Sequence, residues 1–222
     1  MDVSPKLCER LEIYAALLRD WNEKINLTAI TDDEGIAVKH FLDSLTLLKY
    51  APLKQNTSLI DVGTGAGFPG LVIAAARDDI SVTLLDSTGK KLKVVSDIAD
   101  AMGLKNHTVL HARAEEAGKS KEYRENFDYA CARAVAELRV LSEYCLPFVK
   151  PGGSFISMKG ANAASEISDA LNAVSVLGGK IERNETFDLC GSGERSIIII
   201  KKISQIPTKY PRASTLISRK PL

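Results

Sequence analysis

The pattern in this chain with the most chemistry in it is Asp61-Val62-Gly63-Thr64-Gly65-Ala66-Gly67-Phe68-Pro69-Gly70, which follows a β-rich run and opens a helical one. Glycine lets a chain turn sharply and bring its backbone against a ligand with no Cβ between them. In doubly wound α/β folds that turn is where a nucleoside cofactor sits. Gly65-x-Gly67-x-x-Gly70 matches the dinucleotide fingerprint, but two features argue against a pyrophosphate. The first glycine belongs at the strand's end, a place held by Gly63, so the register is displaced by two residues. Asp61 also puts a carboxylate there, which repels phosphate and attracts an ammonium or sulfonium group. Asp86 closes Leu84-Leu85-Asp86, 23 residues after Gly63, where an acid accepts hydrogen bonds from ribose 2′- and 3′-hydroxyls. A nucleoside end and a cationic end together favour S-adenosylmethionine over NAD, with Asp61, Gly63, Gly65, Gly67 and Asp86 as the binding set.

These residues need a parallel sheet to hold them. Short β-rich runs alternate with helical ones from Ser58 onward, the signature of an α/β sheet covered by helices. Strands are expected near Ser58–Val62, Val82–Asp86, Thr108–His111, Phe127–Cys131 and Ser154–Met158, and helices near Pro69–Ala76, Lys90–Met102, Val135–Leu146 and Asn162–Val176. Two longer strands, about Lys180–Leu189 and Ser196–Ile203, are joined by a short turn and should form an antiparallel hairpin at one edge. The all-apolar run Ile197–Ile200 requires cover on both faces, so the last strand should be inserted into the sheet. Ahead of this unit, Leu7, Leu11, Tyr14, Leu18 and Trp21 repeat at helical spacing behind Ser4-Pro5. A second helix is expected from a capping box at Thr31 and Glu34, ending before Pro52. The organisation expected is a helical extension over 1–52, a main domain over 53–206 and a basic tail over 207–222.

Composition agrees with a folded domain. The chain has 222 residues, 45% hydrophobic and 26% charged, with a net charge of +1, too apolar and too nearly neutral for a disordered chain. The start lacks a basic region followed by an apolar one, and no run approaches the roughly 18 apolar residues of a membrane span. A soluble, cytoplasmic monomer is expected. Cys8, Cys131, Cys145 and Cys190 are widely spaced, with no CxxC pair, and His107 and His111 lie about 13 Å apart along a strand, so no metal is expected. The charge is uneven: from Arg195 onward there are seven basic residues and no acid, leaving 22 bases against 28 acids before it. Such a tail suits a polyanion.

Further motifs make the reading specific. Trp21-Asn22-x-x-x-Asn26-Leu27-Thr28, His40-x-x-Asp43-Ser44-Leu45, the glycine loop with its Phe-Pro-Gly extension, Leu85-Asp86-Ser87, Arg113-Ala114-Glu115-Glu116, Ala132-Arg133-Ala134-Val135, Lys159-Gly160 and Tyr210-Pro211-Arg212 occur in this order. In these motifs, from about Leu11 to the C-terminus, the chain closely resembles the bacterial glucose-inhibited division protein B family, the small-subunit ribosomal RNA guanine-N7 methyltransferases. The resemblance implies a class I methyltransferase fold, a Rossmann-like doubly wound sheet with its last strand antiparallel, and an N-terminal helical extension. It also implies S-adenosylmethionine as donor, a guanine of 16S rRNA in the small ribosomal subunit as acceptor, and a link between loss of activity and streptomycin susceptibility. By the same resemblance Gly63 and Phe68 match loop contacts to the cofactor, Ala114 and Glu115 a contact near the adenine, and Arg133 an arginine beside the cofactor. The tail departs from the family's pattern, with Thr215 and Ile217 where glycine and proline are usual.

Guanine N7 offers an in-plane lone pair and carries no proton, so methyl transfer needs in-line positioning more than a general base. The sequence shows no nucleophile-and-base constellation, and Cys131 lacks the context of a cytosine-methylating cysteine. Arg133 is the candidate to bridge cofactor and substrate. His40, Asp43 and Ser44 share one helix face, as a polar tie between extension and main domain or as lining of the pocket. Lys159, Arg195, Lys209 and Arg212 are the candidate RNA contacts, through phosphates. Three other functions would leave different marks. A small-molecule methyltransferase has no use for a basic tail, an NAD-dependent oxidoreductase needs a substrate domain, and an RNA-binding module has no use for Asp61, Phe68 and Asp86 around one pocket.

Overall fold

The computed structural model describes residues 4–51 and 53–222. Helix α1 (Pro5–Asn22) starts as its sequence dictates: Ser4 is extended, its hydroxyl accepts the Leu7 N–H at 3.2 Å, and Pro5 supplies the first helical position. Leu7, Tyr14 and Leu18 are buried on its inner face. The second helical segment begins one residue later than expected. Asp32, not Thr31, is the cap, extended at φ −79° and ψ 152°, with its carboxylate accepting the Gly35 N–H at 2.7 Å. An acidic cap both satisfies the free N–H and meets the positive end of the helix, which a threonine does only in part. The segment runs as α2 (Asp33–Gly35), a π-helical stretch Ile36–Leu42 and α3 (Asp43–Tyr50). Pro52, its expected stop, lies outside the described residues, as do Met1, Asp2 and Val3; Ala51 is already extended, at φ −111° and ψ 118°.

The main domain consists of β1 (Ser58–Val62), α4 (Gly70–Ala76), β2 (Ser81–Asp86), α5 (Gly89–Ala101), β3 (His107–His111), α6 (Ala114–Ala117), β4 (Phe127–Arg133), α7 (Leu138–Cys145), β5 (Val149–Lys159), α8 (Ala163–Val176), β6 (Gly179–Asp188) and β7 (Glu194–Lys202), followed by α9 (Ser214–Arg219). Its seven strands lie in the order β3-β2-β1-β4-β5-β7-β6. The first five are parallel, and β7 is inserted antiparallel between β5 and β6. Ile197, Ile198, Ile199 and Ile200 are all buried, as a run with no polar face requires. The order reverses between β1 and β4, so the glycine loop after β1 and Arg133 at the end of β4 meet at the carboxyl edge of the sheet, where such folds open a crevice.

Two elements start three or more residues from where the sequence places them. Helix α7 begins at Leu138 instead of Val135, because Ala134 takes a left-handed φ of 56° and turns the chain out of β4 before a helix can start. The Leu138 N–H is capped from another element, by the Glu166 carboxylate of α8 at 2.7 Å. Strand β5 begins at Val149 instead of Ser154, with a shift of register against β4 between Phe127 and Tyr129.

Candidate functional site

The loop after β1 is held from beneath. Asp61 is fully buried, and its Oδ2 accepts the Thr64 hydroxyl at 2.6 Å and the Gly70 N–H at 2.9 Å, while the Cys131 thiol approaches Oδ1 at 3.6 Å. Burial raises the Asp61 carboxyl above the usual carboxylate range, against those hydrogen bonds, which pull it down. Gly63, Gly65 and Gly67 all have positive φ, at 76°, 58° and 102°, a region that costs any residue with a Cβ. They differ in what surrounds them. A Cβ on Gly63 would strike Val135 at 2.8 Å and one on Gly67 would strike the Tyr14 hydroxyl at 2.5 Å, whereas on Gly65 the nearest atom is 3.9 Å away. The space beside Gly65 is therefore open, while its N–H is given to the Asp86 carboxylate at 2.9 Å.

On its other side the loop leans on the N-terminal extension. Tyr14 donates its hydroxyl to the Ala66 carbonyl at 2.6 Å, and its ring stacks on Phe68 with centroids 5.1 Å apart and planes 6° apart. His40 stacks on Phe68 at 4.3 Å and 15°, and the Arg133 guanidinium lies 5.1 Å from the same ring centre. The Trp21-Asn22-x-x-x-Asn26-Leu27-Thr28 motif explains how His40 is held. Asn22 Oδ1 accepts the N–H groups of Leu27 and Thr28, folding the chain so that the Thr28 hydroxyl meets His40 Nε2 at 2.8 Å. Arg133 Nη2, which has only donors, lies 3.2 Å from His40 Nδ1. Nδ1 must then accept, and Nε2 carries the proton toward Thr28. Burial and the neighbouring Arg133 lower the His40 pKa to about 4, so the ring is neutral at physiological pH. Arg133 Nη1 also donates to Asp43 Oδ2 at 2.7 Å and to the Lys39 carbonyl at 3.0 Å.

Two cavities open at this edge. The smaller, about 330 Å³, is lined by Gly63, Leu85, Asp86, Ala114, Glu115 and Tyr144, with Ser214 and Ser218 of the C-terminal segment on its far wall. The larger, about 620 Å³, is lined by His40, Asp43, Arg133, Lys159 and Arg195. Val135 and Ala136 line both. The smaller cavity fits a nucleoside. Asp86 Oδ2 accepts the Gly65 N–H at 2.9 Å and Oδ1 the Thr88 N–H at 2.8 Å, which leaves a lone pair on each oxygen for a hydroxyl. Leu85, Ala112 and Val140 supply apolar walls for a base.

Residues 7–198 match the family model described as rRNA small subunit methyltransferase G. The chain belongs to that family. The ribosomal RNA small subunit methyltransferase G of Clostridium perfringens strain 13 is 44% identical over 223 residues, covering all of this chain and 93% of that protein. The one from Acetivibrio thermocellus is 50% identical over 210 residues, 94% of this chain and 86% of that protein. Among solved structures, an S-adenosylmethionine-dependent O-methyltransferase from Thermotoga maritima superposes with a TM-score of 0.59 at 16% identity, over 86% of this chain and 73% of that one. A 16S rRNA (adenine(1408)-N(1))-methyltransferase variant from Catenulisporales acidiphilia does so with a TM-score of 0.56 at 15% identity, over 69% and 88%. Those two show the class I methyltransferase fold. As a member of the rRNA small subunit methyltransferase G family, the protein is a methyltransferase with S-adenosylmethionine as its donor.

The geometry sorts the residues expected at the site. Gly63, Asp86, Ala114 and Glu115 line the smaller cavity, and Arg133, Lys159 and Arg195 the larger. Asp61 is corrected from a cation contact to a brace, because its carboxylate is sealed beneath the loop and bonded to it. The Phe68 ring is buried in its stack with Tyr14 and His40. Two RNA candidates are also corrected. Lys159, its side chain only 10% exposed, pairs with Glu166 at 2.7 Å and donates to the Ala136 carbonyl, so it anchors the strip between the cavities. Arg212 wraps the buried Glu143 carboxylate through Nε and Nη2, and its Nη1 donates to the Lys220 carbonyl, so the guanidinium serves first as a clamp within the protein. Lys209 is exposed, with its ammonium 5.2 Å from the Tyr210 ring centre.

The basic tail is packed onto the main domain. Arg124 donates to the carbonyls of Ile206 and Tyr210, Tyr210 is buried, and Ile217 is fully buried in α9. Ile217, where the family usually has proline, thus serves as a core residue. Cys131 is buried, and burial drives its thiol well above its usual pKa, which suits a strand residue and not a nucleophile. Sequence reasoning missed Tyr14, Thr28 and Val135 as parts of the site. Tyr14 was hidden in the apolar stripe of α1, and Val135 in a helix that starts three residues later.

Proposed function

We propose that the protein transfers the methyl group of S-adenosylmethionine to N7 of a guanosine in 16S rRNA of the small ribosomal subunit, in the cytoplasm. The observation that carries this reading is the pair of cavities that share Val135 and Ala136, one fitted to a nucleoside and the other lined by Arg133 and Arg195 with the carboxylate of Asp43 between them. When bound, S-adenosylmethionine supplies a methyl group on a sulfonium, ready for in-line attack by a lone pair. The chain's own task is to hold two ligands in register. Asp86, itself held by the Gly65 N–H, places the nucleoside beside Gly63, and the Lys159–Glu166 pair fixes the strip beside it by holding the Ala136 carbonyl and the Leu138 N–H.

Arg133 then orients the acceptor. It is held on four sides by Phe68, His40, Lys39 and Asp43, so little freedom is lost when it donates to a purine oxygen next to N7. N7 methylation leaves the purine positively charged, and a bare arginine beside it would oppose the reaction. The Asp43 carboxylate at 2.7 Å offsets that charge. No residue has to remove a proton. Outside the cavity, Lys209 and, in the same C-terminal segment, the exposed Arg219 and Lys220 are the proposed phosphate contacts. The test is transfer of labelled methyl to protein-depleted and intact 30S subunits from cells lacking the gene, with mass spectrometry of the nucleosides. Label in 7-methylguanosine is expected; label in another nucleoside, or in no RNA, overturns the proposal.

A further inference from the structure

Among the described residues only three buried side-chain atoms lack a hydrogen-bond partner: Asp43 Oδ1, His107 Nδ1 and Ser157 Oγ. Of these residues only Asp43 lines either cavity. Its side chain is 7% exposed, its Oδ2 is taken by Arg133 at 2.7 Å, and Oδ1 faces Arg195 Nε at 3.5 Å, within ion-pair range but outside hydrogen-bond geometry. A buried carboxylate oxygen without a hydrogen-bond donor lowers stability, and at a cavity wall the N–H groups of a ligand can supply the missing partner.

We propose that Asp43 is the residue that selects guanine, by accepting the N1–H and the 2-amino group of the acceptor base. The assignment deepens the guanosine-N7 reading and rests on it. A carboxylate offers only acceptors, two oxygens side by side. Of the four RNA bases, guanine alone presents two adjacent N–H donors on its Watson–Crick edge; adenine and cytosine each pair a donor with an acceptor there, and uracil sets one N–H between two carbonyls. Single-stranded RNA bases are read on that edge once they are unstacked. Anchoring N1 and the 2-amino group leaves N7, on the opposite edge, unblocked. Arg195, its side chain a quarter exposed, can turn from Asp43 toward a phosphate, because Arg133 stays behind as the buried counter-charge. The two arginines paired with Asp43 thus divide into one that remains and one that yields.

The test compares methyl transfer to 30S particles reconstituted with guanosine or with inosine at the acceptor position. Inosine keeps N7, O6 and N1–H and lacks only the 2-amino group. The wild-type enzyme should work on the inosine particle about 10- to 100-fold more slowly. In Asp43→Asn the amide must turn its oxygen to Arg133 and present N–H groups to the base, so the guanosine preference should collapse to within about threefold. A wild-type ratio near one, or an unchanged ratio in Asp43→Asn, overturns the assignment. A merely structural role for Asp43 would lower turnover on both particles together and leave the ratio intact. Should the variant turn over too slowly to assay, equilibrium binding of guanosine- and inosine-bearing RNA to both proteins gives the same ratio: a preference lost in the variant supports the assignment, and one retained overturns it. A particle carrying 7-deazaguanosine separates the two readings: methylation of it refutes N7 as acceptor, while the guanosine-to-inosine ratio still judges Asp43.

Discussion

Each cavity is walled by a segment from outside the parallel sheet, and each segment is held by an arginine on a buried carboxylate. On one side Arg133 of β4 grips Asp43 of the N-terminal extension; on the other Arg212 of the C-terminal segment grips Glu143 of α7. The pairs look alike and are bonded differently. Glu143 has both oxygens filled, by the Arg212 backbone N–H and by Nε and Nη2, and neither partner lines either of the two cavities. Asp43 keeps one oxygen without a hydrogen bond, facing Arg195 at 3.5 Å, and both it and Arg133 line the larger cavity. A saturated buried pair fixes architecture, and an unsaturated one at a cavity wall is available to a ligand.

Breaking the saturated pair should have the largest effect. Arg212→Ala strands the Glu143 carboxylate, only 1% exposed, and is expected to cost about 3–5 kcal/mol of stability. Denaturant unfolding reads this directly, and a loss below about 1 kcal/mol would remove the distinction between the pairs. Arg133→Ala should instead lower kcat by about 10²-fold, with cofactor affinity much less affected; full turnover would take Arg133 out of the reaction.

The acceptor side should also respond to acid. His40 titrates at about 4 in the folded protein and near 6.5 when unfolded, because burial and Arg133 disfavour its charged form. The unfolded chain therefore takes up the proton first on acidification. The stability this contributes is complete above about 6.5 and is lost as the pH falls toward 4. Across that window the denaturant midpoint should drop further in the wild type than in His40→Gln, and parallel curves would contradict the buried neutral ring. The smallest effect belongs to the exposed surface. Lys209→Glu should weaken RNA methylation and reduce the slope of log affinity against log salt by about one, leaving cofactor binding unchanged by calorimetry.

Much of the framework was legible because it follows from local patterns. The alternation of apolar runs placed the seven strands, and Ile197–Ile200 foretold an inserted strand because a run with no polar face tolerates no exposed side. The glycine loop was legible for the same reason, since positive φ at three alternating positions demands glycine. What stayed hidden depends on partners distant in sequence. Nothing near Arg212 distinguishes a phosphate contact from a clamp on Glu143, 69 residues away. Lys159 likewise meets Ala136, 23 residues off. Asp61 misled in a further way: its type and position suit a cation, but the loop that it braces covers it.

Val135 and Ala136 stand in both walls, so the two ligands meet one strip of chain from its two sides. Any adjustment of that strip on filling one side alters the fit of the other, and linkage requires the factor to be the same in both directions. If bound nucleoside tightens the enzyme's hold on its RNA, the RNA tightens the hold on the nucleoside equally, and the demethylated cofactor left after reaction inherits whatever part of that cooperativity does not depend on the methyl group.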